Sequence, residues 1–192
     1  MNQAIFGFLH NFANRSPFLD AIFIFFARYL IYFLVLAIII WLIKKPRKEA
    51  LFLFAELAIS AILARGIITE WIRFFYDHPR PFALLGFNPL IPESGASFPS
   101  GHMTFLFSLA LIVWFYNRKF GWWLLGLSFL VGVARIFTGV HWPLDILGGI
   151  AIGALCGYVV HKILLPYWQK LSPQPLVVEV EEIDIVEIQN PQ

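Results

Sequence analysis

The sequence predicts an all-α fold, a polytopic bundle of transmembrane helices, and three observations carry that expectation. Hydrophobic residues make up 59% of the 192-residue chain and charged residues 14%, whereas a soluble domain is nearer half apolar and a quarter charged. The mean hydropathy is +0.75, more apolar surface than a water-soluble globule of this size can hide. The apolar residues gather in runs long enough to cross a bilayer, which takes about 20 residues. These features exclude a free cytosolic enzyme, a disordered chain and a disulfide scaffold. The one cysteine, Cys156, lies in an apolar run and offers neither a disulfide nor a cysteine-based metal site.

Each element follows from local pattern. At the start, Ile5, Phe8, Leu9 and Phe12 fall at helical spacing while Asn2, Gln3, Asn11 and Asn14 are polar. That segment is too short to cross a membrane and suits an amphipathic helix lying in the interface. With no basic residue before Arg15, it does not fit a cleaved signal peptide. Five spans are expected after it, over residues 17–43, 47–72, 101–116, 121–137 and 143–165, six helices in all. The second is unusually polar, holding Glu56, Arg65 and Glu70, read as intramembrane pairs that fix packing or as the lining of a polar path. Residues 1–171 form the membrane domain in this reading. Residues 172–192 form a separate acidic tail, in which Val178, Glu179, Val180 and Glu181 alternate without a partner strand, so a mobile cytoplasmic tail is expected.

The charge distribution orients the bundle. Five of the twelve acids lie in the last fourteen residues, so the chain through Leu171 holds fourteen basic residues against seven acids, a net +7. Basic residues of a membrane protein anchor to lipid headgroups, which makes nucleic acid an unsuitable partner and membrane lipids the expected one. Lys44, Lys45, Arg47 and Lys48 follow the first span, Arg118 and Lys119 the third, and Lys162 and Lys170 the fifth. All fall on one side of a five-span chain, the cytoplasmic side by the positive-inside rule. The expected location is therefore a cell (inner or plasma) membrane.

Three polar clusters remain at the opposite, extracytoplasmic ends of the spans: Arg73 through Arg80-Pro81, Pro99-Ser100-Gly101-His102, and Ala134-Arg135 through His141 to Asp145. Three arginines and two histidines on one face repel one another unless an anion sits between them. Ser100 suits the cap of the third span, and Gly101 lets backbone N–H groups approach a ligand at a helix N-terminus that favours negative charge. Guanidinium groups match phosphate oxygens with paired hydrogen bonds. Pro143 suits the first turn of the fifth span, so Asp145 can reach back toward the cap beside His141, accept its Nδ1–H and leave Nε2 free to attack. His102, from another span, can protonate a leaving oxygen. Any one of these residues alone reads more simply as an interfacial anchor; their joint order, spacing and sidedness favour chemistry. His10 and His161 are read as interfacial, and His78 as a loop residue without an assigned role.

The three clusters resemble the signature of the type 2 phosphatidic acid phosphatase family, integral-membrane lipid phosphatases, whose pattern reads Lys-x6-Arg-Pro, Pro-Ser-Gly-His and Ser-Arg-x5-His-x3-Asp. Arg80-Pro81, Pro99 to His102, Arg135, His141 and Asp145 match, while Arg73 replaces the Lys and Ala134 the Ser. The resemblance implies that His141 attacks phosphorus to form a phosphohistidine, that Asp145 orients it and that His102 protonates the leaving group. It also implies that Arg73, Arg80, Ser100, Gly101 and Arg135 hold the phosphoryl oxygens, with no metal and no cofactor. The short chain and the compact loop after Arg80 look most like bacterial undecaprenyl-diphosphate phosphatases, which recycle the cell-wall lipid carrier. Phosphatidylglycerophosphate or phosphatidate is the alternative substrate, and a non-catalytic lipid-phosphate binder or transporter the alternative class. Intact His102, His141 and Asp145 argue against the last, because binding alone needs only the arginines.

Overall fold

The computed structural model describes residues 2–171, and among these every regular element is helical. The order is α1 (Asn2–His10), α2 (Pro17–Arg28), α3 (Leu30–Ile43), α4 (Arg47–Ala61), a π-helical segment (Ile62–Ile68), α5 (Thr69–Phe75), α6 (Pro81–Leu85), α7 (Gly101–Tyr116), α8 (Arg118–Phe137) and α9 (Pro143–Leu171). The acidic tail expected over residues 172–192 lies outside the described residues.

By length and composition three helices can each cross a membrane: the continuous α4–π–α5 rod, α8 and α9. The chain is thus a multi-pass membrane protein. The expected first span is broken into α2 and α3, which meet at 45°; counted together they make a fourth. At the break a tight bond from the Tyr32 N–H to the Tyr29 carbonyl, 3.0 Å, takes over from the regular ladder. The second span runs on to Phe75, α8 begins at Arg118 rather than Gly121, and α9 continues past Leu165. The early start of α8 has a cause: the Asn117 side chain accepts the Phe120 N–H at 3.0 Å and caps the helix.

Helix α7 is apolar but has only 16 residues, about 24 Å of rise. It is the centre of the bundle, with ten of those residues buried, including Met103, Leu106, Ala110 and Ile112. Helix α9 lies along it on three glycines one turn apart. A Cβ on Gly149 would lie 2.7 Å from the Ser100 carbonyl oxygen, one on Gly153 2.5 Å from that of Thr104, and one on Gly157 2.8 Å from that of Ser108. Only hydrogen at these positions lets the two backbones approach so closely, the small-residue packing common in membranes. This contact fixes the start of α7 against the start of α9, where the second and third polar clusters lie. The opposite surface of the bundle carries exposed Phe33, Leu51, Phe54, Ile62 and Trp122, which lipid accommodates and water does not.

One expectation changes here, the interfacial placement of His161. In α1 the buried residue is Phe6, packed on Trp142 with ring centroids 5.0 Å apart, while Ile5, Phe8 and Phe12 are exposed. Ile5, Phe8 and Phe12 therefore face away from the bundle, as an interfacial helix requires, while Phe6 and the partly buried Leu9 dock α1 on the core. His10 donates its Nδ1–H to the Phe137 carbonyl, 2.9 Å, so it ties α1 to the end of α8. His161 is not interfacial: it is buried, its Nδ1 lies 2.9 Å from Glu56 Oε1, and the Tyr116 hydroxyl donates to Glu56 Oε2 at 2.6 Å. Glu56 is fully buried and joins α4, α7 and α9, which realises the packing reading for this acid and satisfies a carboxylate that would otherwise be costly inside the bundle.

Candidate active site

The site is assembled at the ends of α5, α7, α8 and α9. Trp142 ends the loop before α9, and its N–H donates to Asp145 Oδ2 at 2.7 Å, so the carboxylate reaches back to the cap as the Pro143 position implies. The Ser100 N–H donates to the Asp145 carbonyl at 3.0 Å, which locks the first turn of α7 to that of α9. The expected side-chain cap by Ser100 does not form; its Oγ is buried without a protein partner. The leading N–H groups of a helix have no intrahelical acceptors, so this terminus keeps its capacity for an anion.

His141 is 1% exposed. Its Nδ1 lies 3.4 Å from Asp145 Oδ2, longer than the direct hydrogen bond expected from the spacing. The reason is Ser97, which the sequence reading left unassigned. Its hydroxyl donates to Asp145 Oδ2, and its Oγ lies 3.4 Å from His141 Nδ1. With the Ser97 proton committed to the carboxylate, both oxygens facing Nδ1 are acceptors. That favours the Nδ1–H tautomer and a lone pair on Nε2. Burial first, then the positive charges of Arg135 and Arg80, holds the His141 pKa well below the ordinary 6.5, so the ring is neutral near pH 7. His78 also approaches this group, with Nδ1 3.8 Å from Asp145 Oδ1. Only tertiary packing places it there. For Ser97 the one local hint is a small polar residue three positions before Ser100.

Arg73, Arg80, Gly101, His102, Arg135 and His141 line one cavity of about 410 Å³, so residues from all three clusters meet. The arginines are not equivalent. Arg80 gives Nε to the Gly95 carbonyl at 3.0 Å, Nη1 to that of Val140 at 2.9 Å and Nη2 to that of Ser94 at 3.1 Å. It pins the 94–96 loop to the turn before His141, with most donors committed to the framework. Burial lowers its pKa to about 10, so it remains a cation. Arg73 donates Nη2 to the Pro99 carbonyl at 2.9 Å, and Arg135 donates to Glu93; the Nε groups of both are buried without a protein partner. Glu93, 3.5 Å from Arg80 Nη2, bridges Arg80 and Arg135. Ala134 is fully buried among Ala27, Ile91 and Val140, so the position that differs from the family serine packs α8 on α2. Among the described residues no group of three or more His, Cys, Asp or Glu gathers as a metal-binding set.

A transmembrane helical bundle that closes a pair of histidines and three arginines around one cavity defines a membrane phosphatase. Residues 53–168 match the PAP2 superfamily, and the chain belongs to it, as a hydrolase acting on phosphoric esters or anhydrides. It is 32% identical over 164 residues to the undecaprenyl-diphosphatase BcrC of Bacillus subtilis, covering 84% of this chain and 83% of that protein. The crystal structure of Aquifex aeolicus LpxE superposes with a TM-score of 0.70 and 32% identity, over 84% of this chain and 94% of that one. The structure of a PAP2-type phosphatidylglycerolphosphate phosphatase from Bacillus subtilis, 22% identical, shares the fold with a TM-score of 0.58 over 89% of this chain and 88% of its own.

Proposed function

We propose that this protein removes the terminal phosphate of a membrane lipid diphosphate, undecaprenyl diphosphate in the first place, through a phosphohistidine. The observation that carries the reading is His141, neutral and oriented by Ser97 and Asp145, in the same arginine-lined cavity as His102. Nε2 of His141 attacks the terminal phosphorus, the bond to the bridging oxygen breaks, and that oxygen leaves with the electron pair on the lipid monophosphate, taking a proton from His102. Water then attacks the phosphohistidine, giving its proton to His102; phosphate departs and both rings are restored. Arg73 and Arg135 with the α7 N-terminus meet the charge that builds on the phosphoryl oxygens.

The similarity to an undecaprenyl-diphosphatase along most of both chains supports the substrate. The basic loops at the far end of the bundle, Lys44 to Lys48 and Arg118-Lys119, support an extracytoplasmic site in a cell membrane. The test is phosphate release by the purified protein from undecaprenyl diphosphate, phosphatidylglycerophosphate and phosphatidate. The reading expects the highest kcat/KM on the diphosphate and a 32P-labelled phosphoenzyme on acid quench that is absent in His141→Ala. A higher kcat/KM on a glycerophospholipid refutes the substrate, and no phosphate release from any of them refutes the reaction.

A further inference from the structure

Arg65 belongs to none of the three signature clusters, yet it lines the same cavity as His102 and His141. The helix is rebuilt around it. Along α4 the buried residues Leu53, Glu56, Leu57 and Ser60 follow α-helical spacing, then Ala64 one turn on, and next Thr69 after a gap of five. The wide turn is the π-helical segment Ile62–Ile68, a feature frequent at functional sites. Thr69 holds it open: its hydroxyl donates to the Ala64 carbonyl at 2.8 Å and meets Thr104 Oγ1 on α7 at 3.0 Å. The guanidinium of Arg65 thereby lies over Gly101 so closely that a Cβ there would stand 2.5 Å from Nε. Gly101 is thus also the glycine that makes room for Arg65.

We infer that Arg65 is a specificity-determining residue that binds the lipid-proximal phosphate of a diphosphate substrate while His141 attacks the distal one; the inference rests on the lipid-diphosphate reading above. Three observations place it. Arg65 is eight residues before Arg73 in one continuous rod, so its backbone lies about two turns further from the helix end, while its guanidinium reaches back to the same Glu70 oxygen that Arg73 approaches. The apolar Ile31 and Phe105 line that cavity too, where a lipid chain would leave the site. The second phosphate of a diphosphate lies between the reacting phosphorus and the chain, and so does Arg65. Its partner without substrate is Glu70, an ion pair whose acid is 52% exposed and also 3.8 Å from Arg73; a phosphate replaces that carboxylate as the counter-charge. Arg28 is the competing candidate, but its cavity holds His102 and not His141.

The test compares farnesyl diphosphate and farnesyl monophosphate as substrates of the purified full-length protein, and inorganic pyrophosphate and phosphate as inhibitors of p-nitrophenyl phosphate hydrolysis. Arg65→Gln should lower kcat/KM for the diphosphate about thirtyfold, the scale of losing hydrogen bonds to a charged group. The diphosphate-to-monophosphate ratio should fall about tenfold or more, and Arg65→Lys should recover part of it. The inhibition constant of pyrophosphate should rise in Arg65→Gln by more than that of phosphate. Equal losses on both substrates make Arg65 a helix-packing residue and overturn the inference, as does no loss on either, or a selective loss in Arg28→Gln. A wild-type protein that hydrolyses neither farnesyl diphosphate nor undecaprenyl diphosphate refutes the substrate reading; the pyrophosphate series then still decides the subsite, because it requires only binding.

Discussion

Replacing Ser97 by alanine removes one oxygen and tests the arrangement behind His141, the proposed nucleophile. Asp145 Oδ2 accepts two hydrogen bonds, from the Ser97 hydroxyl and the Trp142 N–H, and both carboxylate and hydroxyl are buried. A hydrogen bond to a charged group contributes about 1.5–3 kcal/mol, and each 1.36 kcal/mol is tenfold in rate. The Trp142 bond survives the substitution, so the lower half of that range applies, roughly ten- to thirtyfold in kcat/KM. The loss should appear with every substrate, since it acts on His141 and not on the leaving group. It should also alter the pH profile. In the wild type the acid limb set by His141 lies below 6.5, because burial and two arginines disfavour its protonated form. Without Ser97, a less restrained Asp145 can draw closer to Nδ1 and stabilise the imidazolium, moving that limb upward and leaving less of the neutral nucleophile in weak acid. The assay is kcat/KM for p-nitrophenyl phosphate from pH 4 to 9, beside thermal unfolding of the same sample. A thermally normal Ser97→Ala protein with unchanged kcat/KM and an unmoved acid limb refutes the positioning role.

The two histidines should separate by leaving group. His102→Ala should slow hydrolysis of an alkyl phosphate by about 10²–10⁴-fold, the usual worth of a general acid, and that of an aryl phosphate far less. His141→Ala should abolish both, and a phosphohistidine still trapped in His141→Ala but lost in His102→Ala would swap the roles. Arg73→Ala should cost about 2–4 kcal/mol of transition-state stabilisation, with Arg73→Lys recovering much of it; a full rate in the alanine variant makes Arg73 a framework residue that only holds the Pro99 carbonyl. Activity should survive excess EDTA and be inhibited by vanadate, and loss with EDTA followed by rescue with Mg²⁺ would contradict an arginine-based mechanism. A cysteine replacing Asn88 should react with an impermeant thiol reagent on intact cells and one replacing Lys45 should not; the reverse pattern would place the site in the cytoplasm.

What the sequence determined by itself follows from effects that act locally along the chain. The solvent is lipid because apolar runs are long, and the helical fold follows because lipid leaves backbone groups no other partner. The reach of Asp145 back to the cap of α9 is readable because it spans three residues. His102, His141 and Asp145 were legible for the same reason: a histidine beside a helix start, or a carboxylate three positions into one, carries its geometry in the spacing. The phosphate chemistry needed more, the coincidence of three clusters with a known signature.

Tertiary structure alone decided which polar atoms meet across elements. Ser97 joins Asp145 and His141 because Gly149, Gly153 and Gly157 let α9 press onto α7, and no local pattern around Ser97 encodes that approach. His161 left the interface for Glu56, more than a hundred residues away in the chain. Arg80, read with Arg73 as a phosphate-binding residue, commits its donors to carbonyls of two different loops. Arg65 entered the cavity through a π-helical turn whose phase shift is held from outside the helix by Thr104. Each of these depends on long-range packing that satisfies a buried polar group. The sequence states that such a group exists; only the folded bundle supplies its partner.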